Sequence, residues 1–267
     1  MRSFGMNTIP LNKLTDKVAL VTGAASGLGK AIATLYAANG AKVLAVDRQR
    51  DALKEVEQEI TTAGGRVWCV QADMALPADV EMMVKAAVEH FGTLDILVNN
   101  AGIMDDFSPV DRVSDEAWRR VMAVNLDGPM QAMRAALRVM LPKKSGVIIN
   151  ISSVGGLYGA RAGAAYTTSK HALIGLTKNT GYLHAQQGIR CVAIAPGAMN
   201  TAIGKDIDFA HLPAAELFNT RIAPGLALNP RTSEPMEVAR LALFLASDDA
   251  SFVNATAVVA DGGWTGY

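Results

Sequence analysis

Val18-Ala-Leu-Val-Thr-Gly-Ala-Ala-Ser-Gly-Leu-Gly29 decides the fold. Val18 to Val21 are apolar without alternation, the pattern of a strand covered on both faces. Gly23, Gly27 and Gly29 then permit a tight turn, close backbone approach to a ligand, and close helix–strand packing. Lys30 to Asn39 continue as a helix that stops at Gly40, a natural C-cap. The first N–H groups and positive dipole end of that helix face the loop, which favours a pyrophosphate. A second strand, Lys42 to Val46, ends in Asp47. This carboxylate lies about 20 residues beyond the glycines, where it can accept hydrogen bonds from adenosine ribose hydroxyls.

The same alternation runs on through the chain. Leu53, Val56 and Ile60 mark a helix over 51–63, closed by Gly64-Gly65, and Arg66 to Gln71 read as a third strand ending in Ala72-Asp73. Pro77 opens a helix with Val80, Met83, Val84, Ala87 and Val88 on one stripe. Leu94 to Val98 form a fourth strand, followed at once by Asn99-Asn100-Ala101-Gly102. Ser114 caps a helix that is disturbed at Gly128-Pro129 and ends before Pro142. Strand Gly146 to Ile151, helix Tyr166 to about Gln186, strand Ile189 to Ala195, an irregular stretch over 198–232, a helix from Glu234-Pro235 to Leu245, and strand Ala257 to Ala260 complete the pattern. The reading is an α/β fold: one domain with a Rossmann-type, doubly wound parallel sheet. Ligands in such sheets sit beyond the carboxyl ends of the strands. The motifs at Gly23, Asp47, Asp73, Asn99, Ser153 and Pro196 should therefore converge on one edge.

Bulk properties exclude several functions. Half of the 267 residues are hydrophobic and 19% charged, with 25 basic and 25 acidic side chains and no basic block. Nucleic acid and anionic membranes have no electrostatic footprint here. No apolar run reaches the length of a membrane span, and Met1 to Leu14, an N-terminal extension, lack a signal-peptide core, so a soluble cytoplasmic protein is expected. Cys69 and Cys191 read as buried thiols, and two Cys with four scattered His make no metal site. Trp68 and Trp118 read as core or interface anchors. Arg119, Arg120, Arg134 and Arg138 read as a solvated helix face.

Tyr166 and Lys170 are four apart on a helix and share a face. A phenol titrates near pH 10, and a neighbouring ammonium should lower that value and make Tyr166 a proton carrier. Ser153, at a strand end, is placed to donate to the same substrate oxygen.

With these residues in view, the chain resembles the compact, single-domain branch of the short-chain dehydrogenases/reductases over nearly all of Lys17 to Trp264. The matching motifs are Thr22-Gly-Ala-Ala-Ser-Gly-Leu-Gly29, Asn99-Asn-Ala-Gly102, Asn125, Ser153, Tyr166-Thr-Thr-Ser-Lys170, Pro196-Gly197 and Asp261-Gly-Gly263. The resemblance implies a catalytic group of Ser153, Tyr166 and Lys170, with Asn125 holding a water in a proton relay. Ser153, and not Ser152, stands thirteen residues before the tyrosine. It also implies Asp73 at the adenine, Asn99 at the adenosine side and Thr201 near the nicotinamide carboxamide. Ser26, Leu28, Ala101, Gly102, Pro196 and Gly197 complete the expected cofactor site with the glycines and Asp47. Met74 is placed there too, without a functional account. Two positions depart from the pattern: Val192 replaces a usual Asn, and Ala255 a common Gly.

NAD is the expected cofactor, because Asp47 stands where the 2′-phosphate of NADP would sit and Ser26 is not basic; Arg48 is the opposing feature. The expected substrate is an uncharged, fairly apolar secondary alcohol or ketone under a lid at 198–232. Met104, Leu157, Tyr158, Met199, Phe209, Leu212, Leu217 and Phe218 are the candidate lining, and Asp105 and Asp106 argue against an anionic substrate. The alternatives are an inactive NAD-binding sensor or scaffold and an NADPH-dependent 3-oxoacyl carrier-protein reductase. A homotetramer built on the helices near 115–141 and 166–186 and on the last strand is implied by the resemblance.

Overall fold

The computed structural model describes residues 12–205 and 207–266; residues 1–11 of the expected extension lie outside them. β1 (Val18–Thr22), β2 (Lys42–Asp47), β3 (Arg66–Gln71), β4 (Ile96–Asn99), β5 (Gly146–Ile151), β6 (Ile189–Pro196) and β7 (Ala257–Ala260) form a parallel sheet in the order β3-β2-β1-β4-β5-β6-β7. Register places Leu20 between Leu44 and Leu97, and Ile149 between Val98 and Val192. Apolar rows thus run across the sheet and are covered on both sides.

One face carries α1 (Gly27–Ala38), α2 (Arg50–Thr62) and α9 (Pro235–Ala246) over Ala19, Val21, Val43, Ile149 and Val192. Tyr36, wholly buried, ties α1 to α9 by donating to the Ala242 carbonyl at 2.8 Å. The other face carries α3 (Pro77–Phe91) and α5 (Gly128–Met140) over Leu20, Leu44, Leu97 and Ile148. α6 (Ala164–Leu183) packs beside β6. No helix of the described residues is long and apolar enough to cross a membrane.

The helix expected to falter at Gly128-Pro129 breaks earlier. α4 (Asp115–Met122) passes into one π-helical turn, Ala123–Asp127, and α5 begins at Gly128. Pro129, which has no N–H to donate, follows directly on this π-turn, where the regular helical hydrogen-bond ladder is already shifted and the Gly128 N–H reaches back to the Ala123 carbonyl. Glycine is required at 128 because a Cβ would overlap the Met74 carbonyl oxygen. Met74 therefore has a packing role, as the point where the loop after β3 rests on α5. Residues 198–232 are not wholly irregular: Ala215–Leu217 (α7), a π-turn at Phe218–Ile222 and Ala223–Ala227 (α8) make a run of short turns. Their base is pinned where Asn200 donates to the Ser233 carbonyl (2.9 Å) and Ser233 to that of Ala198 (3.0 Å).

Trp68 is not a core residue. It stands on the edge strand β3, 45% exposed, stacked on His90 with ring centroids 4.3 Å apart. Cys191 is buried and Cys69 half-buried, and burial pushes both thiols up to about 12. The four arginines of the 115–141 segment are exposed, as expected. Of the two departures, Val192 fills the core, whereas Ala255 sits at φ +53°, a left-handed conformation that explains the common glycine.

Candidate active site

The carboxyl ends of β1 to β6 open on one cavity of about 550 Å³. Thr22, the last residue of β1, binds the neighbouring strand end together: its hydroxyl accepts from the N–H groups of Asn100 (3.0 Å) and Ala101 (3.1 Å). Gly23 turns the chain at φ +67°, and a Cβ on Gly29 would overlap the Gly23 carbonyl oxygen. Gly29 is thus a packing glycine, behind the cavity wall formed by Gly23, Ser26, Gly27 and Leu28. Ser26 precedes α1 without a side-chain cap, so the helix presents its first N–H groups to the cavity. Asp47 is held at the rim by two backbone donors, Ala25 to Oδ2 (3.1 Å) and Gln49 to Oδ1 (3.0 Å). Asp73, Met74, Ala101, Gly102, Pro196, Gly197 and Thr201 also line the cavity, as does Arg48. Asn99 does not. Its side chain points into the sheet and donates to Asn150 Oδ1 at 2.8 Å, because β4 pairs Asn99 with Asn150.

The cradle suits a dinucleotide: an uncapped helix start for the pyrophosphate, a fixed carboxylate about 20 residues on for the ribose, and Asp73 on the far wall. Among the described residues no group of His, Cys, Asp and Glu is arranged to hold a metal ion.

Ser153 leaves β5 and lines the cavity, with its hydroxyl accepting from the Gly155 N–H at 3.0 Å. The adjacent Ser152 instead donates to the Lys170 carbonyl at 3.0 Å beneath α6. Tyr166 lies in the first turn of α6 and Lys170 one turn on. The ammonium is 5.6 Å from the Tyr166 ring centroid and donates to the Ile151 carbonyl at 2.9 Å. Both side chains are almost wholly buried. Burial dominates their chemistry and corrects one expectation: the phenol is not lowered by the lysine but pushed up to about 12. A hydrogen bond with Ser153 opposes that rise and the Asp105 carboxylate adds to it. Burial also brings Lys170 down to about 8.

Asn125 sits in the π-turn, wholly buried and outside the cavity wall. Its amide holds the backbone of Ile103 at both ends: Oδ1 accepts from the N–H and Nδ2 donates to the carbonyl, each at 2.9 Å. Nδ2 also meets Ser169 Oγ at 3.2 Å. What this geometry provides is an anchor for the loop after β4.

The substrate end differs from the expected lining. Met104 and Met199 are in the wall, but Leu157, Tyr158, Phe209, Leu212, Leu217 and Phe218 are not. Phe209 and Phe218 instead pack on Phe107, with centroids 6.0 and 4.9 Å away, joining the 198–232 segment to the loop after β4. Ile103, Phe107, Ile203, Leu226 and Trp264 supply the apolar wall. Trp264 was invisible to periodicity because it follows the last strand. Its indole N–H donates to the Gly225 carbonyl of α8 at 2.9 Å, and Arg161 lies over its ring at 4.7 Å. Asp105 faces away from the cavity into the start of α6, so it says nothing against an anionic substrate.

The family model described as short chain dehydrogenase matches residues 17–210. The chain is 42% identical to 3beta-hydroxysteroid dehydrogenase 2 of Eggerthella lenta over 255 residues, 95% of this chain and 96% of that one. It is 37% identical to a cyclohexanol dehydrogenase of an Acinetobacter species, covering 97% and 99%. A solved structure from Beutenbergia cavernae, described as an NAD(P)-dependent gluconate 5-dehydrogenase by assignment and with NADP bound at low occupancy, superposes with TM-score 0.83 at 38% identity over 95% of this chain and 98% of the other.

Proposed function

The chain belongs to the short-chain dehydrogenase family, and on that premise we propose that it is an NAD-dependent oxidoreductase interconverting a secondary alcohol and its ketone. One observation carries the reading: Ser153, Tyr166 and Lys170 wall the same cavity that receives the uncapped start of α1 and the carboxylate of Asp47. When bound, the nicotinamide supplies the hydride acceptor or donor. Ser153 holds the substrate oxygen as charge develops on it, and Tyr166 moves the proton at that same oxygen. Lys170, anchored on the Ile151 carbonyl, places a cation beside the phenol and would hold the ribose hydroxyls of a bound cofactor.

Support for NAD over NADP comes from Asp47, whose two oxygens are fixed by backbone donors where a 2′-phosphate would meet like charge. Support for a mainly apolar, cyclic substrate comes from Ile103, Met104, Phe107, Met199, Leu226 and Trp264. The steroid and cyclohexanol names of the relatives agree with it. The 198–232 segment is read as the lid of this single-domain enzyme. A cytoplasmic location and a homotetramer complete the proposal, the assembly being supported by exposed Tyr182 and Leu183 at the end of α6 and Val259 on β7. The test is a panel of cyclic alcohols and ketones with NAD(H) and NADP(H), followed at the nicotinamide absorbance band. Turnover with no member of the panel would favour the inactive sensor.

A further inference from the structure

The residues that carry the proton do not explain how the start of α6 is held in place. Gly163 is the N-cap residue of that helix and has no side chain with which to cap it. The cap comes from the loop after β4. Asp105, 3% exposed, takes the Gly163 N–H on Oδ1 at 3.0 Å and the backbone N–H of Tyr166 itself on Oδ2 at 2.8 Å. Oδ1 also accepts from the Phe107 N–H at 3.2 Å, and the Ser108 carbonyl accepts from the Ala164 N–H at 2.8 Å. The fit is tight: a Cβ on Gly163 would stand 2.6 Å from Asp105 Oδ2 and 2.7 Å from the Ser108 nitrogen. Phe107 sits at φ +61°, an unfavourable state for an aromatic residue, and is retained by these bonds and by its packing on Phe218. At its other end the loop is held by Asn125 on Ile103. A segment clamped at both ends thus presses a buried carboxylate against the backbone of the tyrosine.

Resting on the proton-transfer reading above, we propose that Asp105 is a positioning residue of this active site. Its carboxylate caps α6 at the amide of Tyr166 and fixes where the phenol stands relative to Ser153 and Lys170. A second effect follows from the charge. Three groups act on the Tyr166 phenol: the Ser153 hydroxyl favours the phenolate, the Lys170 ammonium lies 5.6 Å from the ring, and the charge of the Asp105 carboxylate, behind the Tyr166 amide, opposes ionisation. Asp106 adds its repulsion to the burial that raises the Asp105 carboxyl, while the three backbone donors lower it.

Asp105→Asn tests the proposal, because an amide keeps the shape but turns a donor toward one of the backbone N–H groups. In alcohol oxidation kcat should fall by on the order of tenfold, the scale expected when a reacting group is displaced by a fraction of an ångström. KM for NAD should stay within about twofold, since the cofactor cradle is untouched. The acid limb of the kcat–pH profile should move to lower pH by roughly half a unit, because a charge opposing the phenolate is gone. A purely structural cap would not move that limb. Hydrogen exchange over 163–170 needs no turnover and should quicken. Gly163→Ala, whose Cβ must displace the Asp105 carboxylate and the Ser108 backbone, should reproduce the loss in kcat and the faster exchange, with a lower melting temperature. The proposal is overturned if Asp105→Asn keeps the parent kcat and acid limb, or loses thermal stability alone. If that variant does not fold, parent kcat and parent exchange in Gly163→Ala overturn it. A parent inactive on every alcohol and ketone would remove the proton-transfer reading, while unchanged exchange in the variant would separately remove the clamp.

Discussion

Replacing Asp47 with alanine should exchange the cofactor preference, and the structure sets the size of the effect. The carboxylate is held at the end of β2 by the N–H groups of Ala25 and Gln49 and cannot swing far from the cavity rim. A carboxylate about 5 Å from one phosphate charge, at an effective dielectric constant near 20, costs about 3 kcal/mol. Arg48 on the same rim offsets part of that, leaving about 2 kcal/mol against NADP. NAD loses in turn: charged hydrogen bonds to the ribose hydroxyls contribute about 1.5–3 kcal/mol. The two effects have the same sign for the ratio of catalytic efficiencies. Together, at about 3.5–5 kcal/mol, they predict a shift toward NADP of roughly several hundredfold to several thousandfold. The assay is kcat/KM with each cofactor, under one saturating alcohol, for parent and variant. A ratio that moves by less than about fivefold would refute the argument, because so small a change is under 1 kcal/mol.

Ala255→Gly should stabilise the protein. It removes a left-handed Cβ penalty of about 1–2 kcal/mol and adds about 0.4–1 kcal/mol of unfolded-chain entropy, for a melting temperature higher by a degree or more on calorimetry. Trp264→Phe removes the donor to the Gly225 carbonyl on α8, so initial rates should show KM for the alcohol raised severalfold with kcat near the parent. Stability should depend on pH through Lys170, whose pKa falls from 10.5 unfolded to about 8 folded. Between those values the unfolded chain binds the extra proton, so this contribution is unfavourable below pH 8 and is relieved as pH rises. Denaturant titrations from pH 8 to 9.5 should show a gain in the parent that is missing in Lys170→Met.

The fold was legible because each βα unit ends in punctuation that has a physical cause. Continuous apolar strands, the three glycines after β1 and the residues at strand ends together imply a doubly covered parallel sheet with one reactive edge. Helix boundaries came within a few residues, and Tyr166 and Lys170 share the cavity as their spacing requires. What escaped was decided by tertiary contacts. The π-turn at Ala123–Asp127 accompanies the reach of Asn125 to the backbone of Ile103, which no periodicity encodes. Phe209 and Phe218 of the 198–232 segment read as substrate wall, yet they pack on Phe107 instead. Asp105 read as a charge facing the substrate, because its partners, Gly163 and Tyr166, lie about 60 residues further along the chain. Only Ala255 carried its own signal, as an alanine where a glycine is usual.

The central claim is that the phenol of Tyr166 moves the proton at the substrate oxygen. The most direct measurement compares parent and Tyr166→Phe with cyclohexanol and NAD, reading NADH formation, while calorimetry on the same samples reads NAD binding. The account predicts that turnover falls by at least about 10²-fold, as expected for loss of a general acid–base, with the dissociation constant for NAD unchanged within about twofold. Turnover by Tyr166→Phe at the parent rate would contradict it.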